Sequence, residues 1–138
     1  MGFLLDTNII SEIRKPSCDA HVHAWVSSID PDDCFISVLT AGEIRKGIDM
    51  IRVKDSQKAR QLETWLTELL SFYADRVLDV DTPTALEWGR MAALGDTAAI
   101  DVLIAATARR YGLTVATRNL ADFKDMDIMV FNPFEFQA

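Results

Sequence analysis

Four acidic residues, spread along a chain of 138 residues, are candidates for binding a divalent cation together. They are Asp6, Glu43, Asp101 and Asp122, and Asn119 is paired with Asp122 as a candidate for the fourth position. Each lies in or beside an apolar stretch, where a carboxylate costs free energy unless a cation or hydrogen-bond donors lie next to it. Carboxylate oxygens are the ligands that Mg²⁺ prefers, with several waters completing its shell. A site of this kind is typical of enzymes that act on phosphodiester bonds.

Each acid alone also has a simpler interpretation. Asp6 could cap the helix that follows it, and Glu43 could complete a capping box with Thr40. Asp101 could stabilise the first turn of its helix through the helix dipole. Taken together, the acids favour a hard cation. Zinc is not indicated, because the histidines, His21 and His23, lie in another helix and are expected at the surface.

Strands and helices that must position these acids alternate along the chain. The patterns predict strands over Gly2–Leu5, Cys34–Val38, Val77–Val80, Thr114–Thr117 and Ile128–Phe131. They predict helices over Thr7–Ile13, Asp19–Ser28, Thr40–Ile51 and Ser56–Phe72, one from Asp81 or Thr82 to about Gly95, and one over Ile100–Tyr111. This alternation indicates one α/β domain over residues 1–138, an α/β/α sandwich around a mostly parallel, roughly five-stranded sheet.

The predicted topology brings several of the acids to one place. Ligands of open parallel sheets bind at the carboxyl ends of the strands. Asp6 follows the first strand, Glu43 lies on the first turn of the helix after the second, and Asn119 follows the fourth. We therefore expect these residues at the same edge of the sheet.

Polar and basic side chains near the acids could support the site. Thr7, Asn8, Thr117 and Asn119 could hydrogen-bond a carboxylate or a metal-bound water. The candidates for contact with a phosphate backbone are Arg14, Lys15, Arg45, Lys46 and Arg118, although solvated surface is the better interpretation for at least half of them. Trp25, Trp65 and Trp88 are spaced for core or dimer packing rather than for base stacking.

Composition excludes several classes of protein. The net charge of -7, from 21 acidic and 14 basic residues, argues against coating nucleic acid by bulk charge, but metal ligands themselves add negative charge. Cys18 and Cys34 form no C-x-x-C pair, which is typical of a reducing compartment. A signal peptide and a membrane-spanning run are absent from the pattern, so we expect a cytoplasmic protein without a membrane partner.

Four motifs occur in a characteristic order along the chain. They are Leu4–Glu12, Ala41–Gly47, Ile100–Ala108 and Thr117–Phe123. This order resembles the PIN domain and, within it, the VapC-like (FitB-like) toxins of bacterial type II toxin–antitoxin modules, over essentially the whole chain. The resemblance implies a Mg²⁺- or Mn²⁺-dependent endoribonuclease that cleaves structured cellular RNA through metal-activated water. It also implies a homodimer held inactive by a cognate antitoxin.

The same resemblance assigns the site residues. The three strongest acidic positions of the family fall on Asp6, Glu43 and Asp101. The fourth falls either on Asn119, where many relatives carry Asp, or on Asp122, which we favour. One segment departs from the family pattern, because residues 95–99 carry an additional acid, Asp96, where relatives often have prolines. Asp96 is therefore interpreted as a further outer acid.

Other functions remain to be weighed against a nuclease. A haloacid-dehalogenase-type phosphatase would need Asp-x-Asp after the first strand, whereas the second position here is Asn8. A receiver-like phosphoacceptor domain would need an early acidic pair and a late lysine, and neither fits. A non-catalytic PIN-like binding module stays an alternative, because an intact motif does not prove turnover.

Overall fold

Five parallel strands form the centre of the computed structural model, which describes residues 2–95 and 98–138. The strands are β1 (Phe3–Leu5), β2 (Cys34–Ser37), β3 (Val77–Leu78), β4 (Thr114–Ala116) and β5 (Val130–Phe131). Their order in the sheet is β3-β2-β1-β4-β5, and every neighbouring pair is parallel. The predicted five-stranded parallel sheet is confirmed.

Six α-helices flank the sheet in two layers. They are α1 (Thr7–Arg14), α2 (Ala20–Ser28), α3 (Val38–Arg52), α4 (Ser56–Tyr73), α5 (Thr82–Ala92) and α6 (Ala99–Tyr111). Short 3₁₀ helices lie at Pro31–Asp33, Ala74–Arg76, Leu120–Phe123 and Pro133–Glu135. Helices α1–α4 contribute buried residues to one core, and α6 contributes them to the other. The predicted α/β/α sandwich is confirmed.

The two cores are separated by alternate residues of the central strands. In β1, Leu5 packs into the core beneath α1–α4, whereas Leu4 packs into the core beneath α6. In β4, Ala116 and Val115 divide in the same way. Successive side chains of a strand point to opposite faces, so burial on both faces requires continuous apolar runs. This is why the central strands are apolar at nearly every position, and why the chain turns polar as soon as a strand ends.

One predicted helix start was wrong. The side-chain oxygen of Ser37 accepts the Leu39 N–H at 3.0 Å, so α3 begins at Val38 and β2 ends at Ser37. Thr40 is fully buried inside the helix and does not cap it. Glu43 therefore lies in the second turn of α3, and the capping box with Thr40 does not form.

Other predicted boundaries moved by a few residues. Strand β3 is two residues long, shorter than the predicted Val77–Val80, and α5 ends at Ala92 rather than near Gly95. The predicted cap of α5 is confirmed, since the Asp81 carboxylate accepts the Thr84 N–H at 3.0 Å. Within the described ranges, no helix has both the length and the apolar character needed to cross a membrane.

The connection between α1 and α2 is held by Glu12, a carboxylate at the end of α1 that is only 9% exposed. One of its oxygens accepts the Asp19 N–H at 2.8 Å, and the other lies 3.1 Å from Lys15 Nζ. The backbone hydrogen bond from Asp19, and then that from Lys15, lower the pKa of Glu12. The charged form of this side chain is therefore the one that the fold stabilises.

We expect Glu12→Gln to lower the melting temperature at neutral pH, because a neutral amide accepts these hydrogen bonds less strongly. Since the native pKa of Glu12 is lowered, its stabilisation is present above the ordinary glutamate pKa and is lost as the pH falls through the native value. Thermal unfolding of both proteins should therefore give curves that converge in acid. Glu68→Gln, at an exposed position of α4, is the matched control and should melt like wild type. An unchanged melting temperature for Glu12→Gln at neutral pH would contradict the assignment.

Candidate active site

Asp6 stands where β1 ends and α1 begins. Its backbone N–H donates to the Ala116 carbonyl at 2.9 Å and so extends the pairing with β4. Its side-chain Oδ1 accepts the Thr7 N–H at 2.9 Å, which makes Asp6 the N-cap of α1, as predicted. Its Oδ2 accepts the Thr117 hydroxyl at 2.9 Å and the Asn8 amide at 3.3 Å. Asp6 is thus nearly buried and held on both oxygens.

Asn8 connects the first and fourth strand ends. Its amide Nδ2 donates to Thr117 Oγ1 at 3.3 Å, and its Oδ1 accepts the Arg118 N–H at 3.1 Å. The Thr117 hydroxyl oxygen in turn accepts the Asn119 N–H at 3.0 Å. The segments after β1 and β4 therefore form one hydrogen-bonded network around the Asp6 carboxylate.

Glu43 reaches this network from α3. The Thr7 hydroxyl donates to Glu43 Oε1 at 2.6 Å, across 36 positions of the sequence. Since the Thr7 backbone N–H is bonded to Asp6, one residue links the two carboxylates. The simpler interpretation of Glu43, a capping box with Thr40, is therefore wrong. The true partner follows from the parallel pairing of β1 with β2.

Asp101 lies half-buried in the first turn of α6 and faces the other acids. Its pKa is raised, first by burial and then by the negative charges of Asp122, Asp6 and Glu43. Asp122 is exposed in the 3₁₀ helix Leu120–Phe123, which is anchored by the buried Phe123. Three carboxylates from distant segments are therefore close enough for their charges to act on Asp101.

This donor set matches a hard divalent cation in chemistry and in charge. Burial first, and then the charges of the neighbouring acids, raise the pKa of Asp101, and a bound cation would offset this negative charge. Carboxylates are the ligands that Mg²⁺ and Mn²⁺ bind. Among residues 2–95 and 98–138, no three acidic, histidine or cysteine side chains already stand in coordinating positions. A metal shell at this site would therefore need rearranged side chains or bridging waters.

The other predicted site residues divide by position. Asn119 has an exposed side chain and joins the network through its backbone. Asp96 lies outside the described residues. His21 and His23 are exposed on α2, as expected, and Trp25 is buried in the core. The favoured fourth acid, Asp122, acts electrostatically on Asp101, and Asn119 carries no charge.

The five basic candidates are not equivalent. Arg45 lies 2.9 Å from Glu63 and 3.5 Å from Asp49, in an ion-pair cluster between α3 and α4. Lys15 is paired with Glu12. Both are therefore engaged in surface ion pairs. Lys46 is exposed one helical turn after Glu43.

The remaining two candidates stack on aromatic rings. The Arg14 guanidinium lies 5.5 Å from the Trp65 ring centroid, and the Arg118 guanidinium lies 4.3 Å from that of Phe134. Sequence reasoning missed Phe134, because nothing in the local pattern connects residues 118 and 134. Of the five, Arg118 has the most direct connection to the acids through its bond to Asn8.

A cavity of about 430 Å³ opens beside the acids. Asp122 forms part of its wall, and Val102, next to Asp101, forms another part. Met91 and Met126 make the lining partly apolar, while further aspartates keep it acidic. Asp122 therefore borders a groove between α5, α6 and the segment after the fourth strand, whereas Asp6, Glu43 and Asp101 do not line it.

Comparison with known proteins gives a consistent result over nearly the full length. A family model described as the PIN domain matches residues 3–129. The chain is 36% identical over 137 residues to the toxin FitB of Neisseria gonorrhoeae, covering 95% of this chain and 97% of that protein. It is 32% identical over 139 residues to the VapC ribonuclease Y4jK of Sinorhizobium fredii, covering 96% and 97%.

Solved structures agree with these relatives. The crystal structure of FitAcB from Neisseria gonorrhoeae matches with a TM-score of 0.88 at 35% identity, covering 97% of this chain and 99% of that one. Other structural neighbours are VapBC and FitAB toxin–antitoxin complexes, some of them bound to DNA. The likeness extends beyond the sheet to the whole arrangement of helices.

We expect Asp101→Asn to leave the metal-free protein as stable as wild type or to raise its melting temperature by up to a few degrees. Because the native pKa of Asp101 is raised, the folded state binds more protons than the unfolded state just above the ordinary aspartate pKa. Stability from this group therefore falls as the pH rises through that window. The advantage of the Asp101→Asn variant should be present at neutral pH and disappear in acid.

Thermal unfolding in chelator-treated buffer tests this expectation. Asp75→Asn, at an exposed position far from the acids in sequence, is the control and should change nothing. A marked drop in the melting temperature of Asp101→Asn would mean that the carboxylate is stabilising, and would contradict the repulsive cluster.

Proposed function

The chain belongs to the PIN-domain family, and from this premise we propose that it is a metal-dependent endoribonuclease, the toxin of a toxin–antitoxin pair. The observation that carries the proposal is the convergence of Asp6, Glu43 and Asp122 on Asp101. The relatives named toxin FitB and VapC ribonuclease support it, since each matches almost the whole chain.

In this proposal the protein's own residues prepare the site before any substrate arrives. Asp6, Glu43, Asp101 and Asp122 would hold one or two ions, Mg²⁺ or Mn²⁺, which when bound neutralise charge on the scissile phosphate and activate a water. The carboxylates of Asp6 and Glu43 are held in orientation by hydrogen bonds donated by Thr7, Asn8 and Thr117. The described histidines are exposed on α2, so no histidine is assigned as general base.

The geometry around Asn8 disfavours the phosphatase alternative. A phosphatase of that type would use a second carboxylate at this position, two residues after the nucleophile. Here the Asn8 amide is bonded to Asp6, Thr117 and the backbone of Arg118. The residue therefore serves to join two strand ends and does not present a second acid.

We expect the purified chain to cleave RNA in the presence of Mg²⁺ or Mn²⁺, to stop when EDTA is added, and to leave 5′-phosphate ends. Asp6→Asn and Asp101→Asn should each lower the rate by at least about 100-fold, because each removes a proposed ligand. Millimolar metal should raise the melting temperature of wild type by mass action, and less so that of Asp101→Asn. Sequencing of RNA ends after induced expression would identify the substrate.

Glu68→Gln is the control for general effects of charge removal and should keep full activity. Full activity in Asp6→Asn or Asp101→Asn would reject the site assignment. RNA binding and metal-dependent stabilisation without any cleavage would instead identify a non-catalytic binding module.

The proposed partner is an antitoxin whose basic segment covers the acids. The structural neighbours that are toxin–antitoxin complexes support such a partner. Arginine pairs with carboxylates through two parallel hydrogen bonds, so one arginine could replace the ion beside Asp101 and Glu43. A short basic tail of this kind would be disordered when free and would fold across the site on binding.

We expect the co-purified antitoxin to inhibit less at high salt, because salt screens the attraction between its basic segment and the acids. We also expect Mn²⁺ to compete with the antitoxin, because both bind the same carboxylates. Activity assays across salt and Mn²⁺ concentrations test this. Light scattering of the same samples gives their masses, and for the free chain we propose two copies, with Trp65 and Trp88 as candidate contacts. Tight binding without inhibition, or inhibition indifferent to salt and metal, would reject the mechanism.

A further inference from the structure

The backbone of Arg118 is hydrogen-bonded to the edge of the acidic site, whereas its guanidinium lies over the ring of Phe134. Its N–H donates to Asn8, whose amide contacts the Asp6 carboxylate. Its guanidinium carbon lies 4.3 Å from the centroid of the Phe134 ring, and the residue is exposed. A cation beside a cluster of carboxylates is thus stacked on an aromatic ring.

The ring of Phe134 is itself firmly anchored. It lies in the 3₁₀ helix Pro133–Glu135, where the Phe134 N–H donates to Asn132 Oδ1 at 3.0 Å. The side chain packs against the core beneath α1–α4. The carbonyl of Phe136 bonds to the His21 ring at 2.8 Å, which ties this segment to α2. The ring can therefore act as a fixed platform.

Stacking decides what the guanidinium can bind. A flexible arginine next to four carboxylates would be drawn into an ion pair with one of them. Within the described part of the chain, Arg118 forms no ion pair, whereas Arg45, Arg52 and Arg109 pair with glutamates elsewhere on the surface. A guanidinium stacked on a ring keeps its N–H groups in its own plane, where they can bind a phosphate in bidentate fashion. Its positive charge also lies where an acidic protein must attract an anionic substrate.

We propose that Arg118 binds a backbone phosphate of the RNA substrate, and that Phe134 is a positioning residue that holds the arginine ready for it. This inference rests on the proposed function for its substrate class. It makes the segment after the last strand part of the substrate site, although that segment lies outside the four acidic motifs.

The test measures binding without cleavage, in an Asp101→Asn background, by fluorescence anisotropy of a labelled single-stranded RNA oligonucleotide. Arg118→Ala should weaken binding about tenfold. The slope of log affinity against log salt should become shallower by about 0.7, as expected for one lost phosphate contact. Arg118→Lys should fall between, because it keeps the charge and loses the planar fork.

Variants of Phe134 separate positioning from charge. Phe134→Leu should weaken binding roughly two- to fivefold through the lost cation–π contact, and Phe134→Tyr should bind like the background protein. In the double variant Arg118→Ala/Phe134→Leu, the loss should equal that of Arg118→Ala alone. Circular dichroism and melting curves identify any variant that fails to fold, in which case the Tyr variant and the arginine variants carry the test.

Arg110→Ala is the matched control. Arg110 is also an exposed arginine stacked on an aromatic ring, 5.1 Å from the centroid of Tyr111. It lies nine residues after Asp101 on α6, about 13 Å along the helix. Its replacement should leave RNA affinity unchanged.

In the active protein, Arg118→Ala should raise KM more than it lowers kcat.

Three results would overturn the inference. The first is unchanged RNA affinity in Arg118→Ala, and the second is an equal further loss from Phe134→Leu when Arg118 is already alanine. The third is loss of antitoxin binding with RNA binding intact, which would assign Arg118 to the protein partner. Because these arms need no cleavage, an RNA-binding but inactive wild type would reject the proposed nuclease and leave the arginine assignment standing.

Discussion

The hydrogen bonds of Asp6 are the interaction on which the rest of the structure depends. Its backbone continues the pairing of β1 with β4, one carboxylate oxygen caps α1, and the other accepts the hydroxyl of Thr117. A buried carboxylate is tolerated because these donors replace the water it lost. The same hydrogen bonds fix the orientation of the carboxylate, so the sheet, α1 and the acidic site all meet at Asp6.

The acidic site around Asp6 contains unfavourable electrostatic interactions. Asp101 is half-buried and feels the charges of Asp122, Asp6 and Glu43, so its ionised form is disfavoured. No such cost would persist in a site selected for stability alone, and sites that bind substrates or ions commonly sacrifice stability in this way. The hydrogen bond from Thr7 to Glu43 limits how far the repelled groups can separate.

The positively charged side chains proposed near the acids are held in different ways. Arg118 is kept at the edge by the Phe134 ring and does not quench the acids. Arg45 and Lys15 are engaged in pairs elsewhere on the surface. In the proposed function, a metal ion or a partner's arginine would supply the positive charge that these side chains do not.

Local features of the fold were predictable from the sequence. Asp6 and Asp81 cap helices by bonding N–H groups one and three residues away, and Gly112 ends α6 in the left-handed region at φ 66°. The alternation of strands and helices follows from apolar patterns of similar range. The predicted start of α3 was wrong because Ser37 and Thr40 are both good N-cap residues. In the structure Ser37 caps the helix, and Thr40 is buried inside it.

The tertiary structure alone decided which residues act together. Glu43 bonds to Thr7 rather than to a neighbour, Asp101 is perturbed by acids from three other segments, and Arg118 stacks on Phe134. Each of these contacts depends on the strand order, which sets β1 between β2 and β4. The sequence by itself determined the acids, the caps formed by Asp6 and Asp81, and the placement of Asp6 at a strand end, because these depend on contacts within a few residues. The charges that each acid feels and the position of the Arg118 guanidinium depend on distances across the folded sheet, which no local pattern contains.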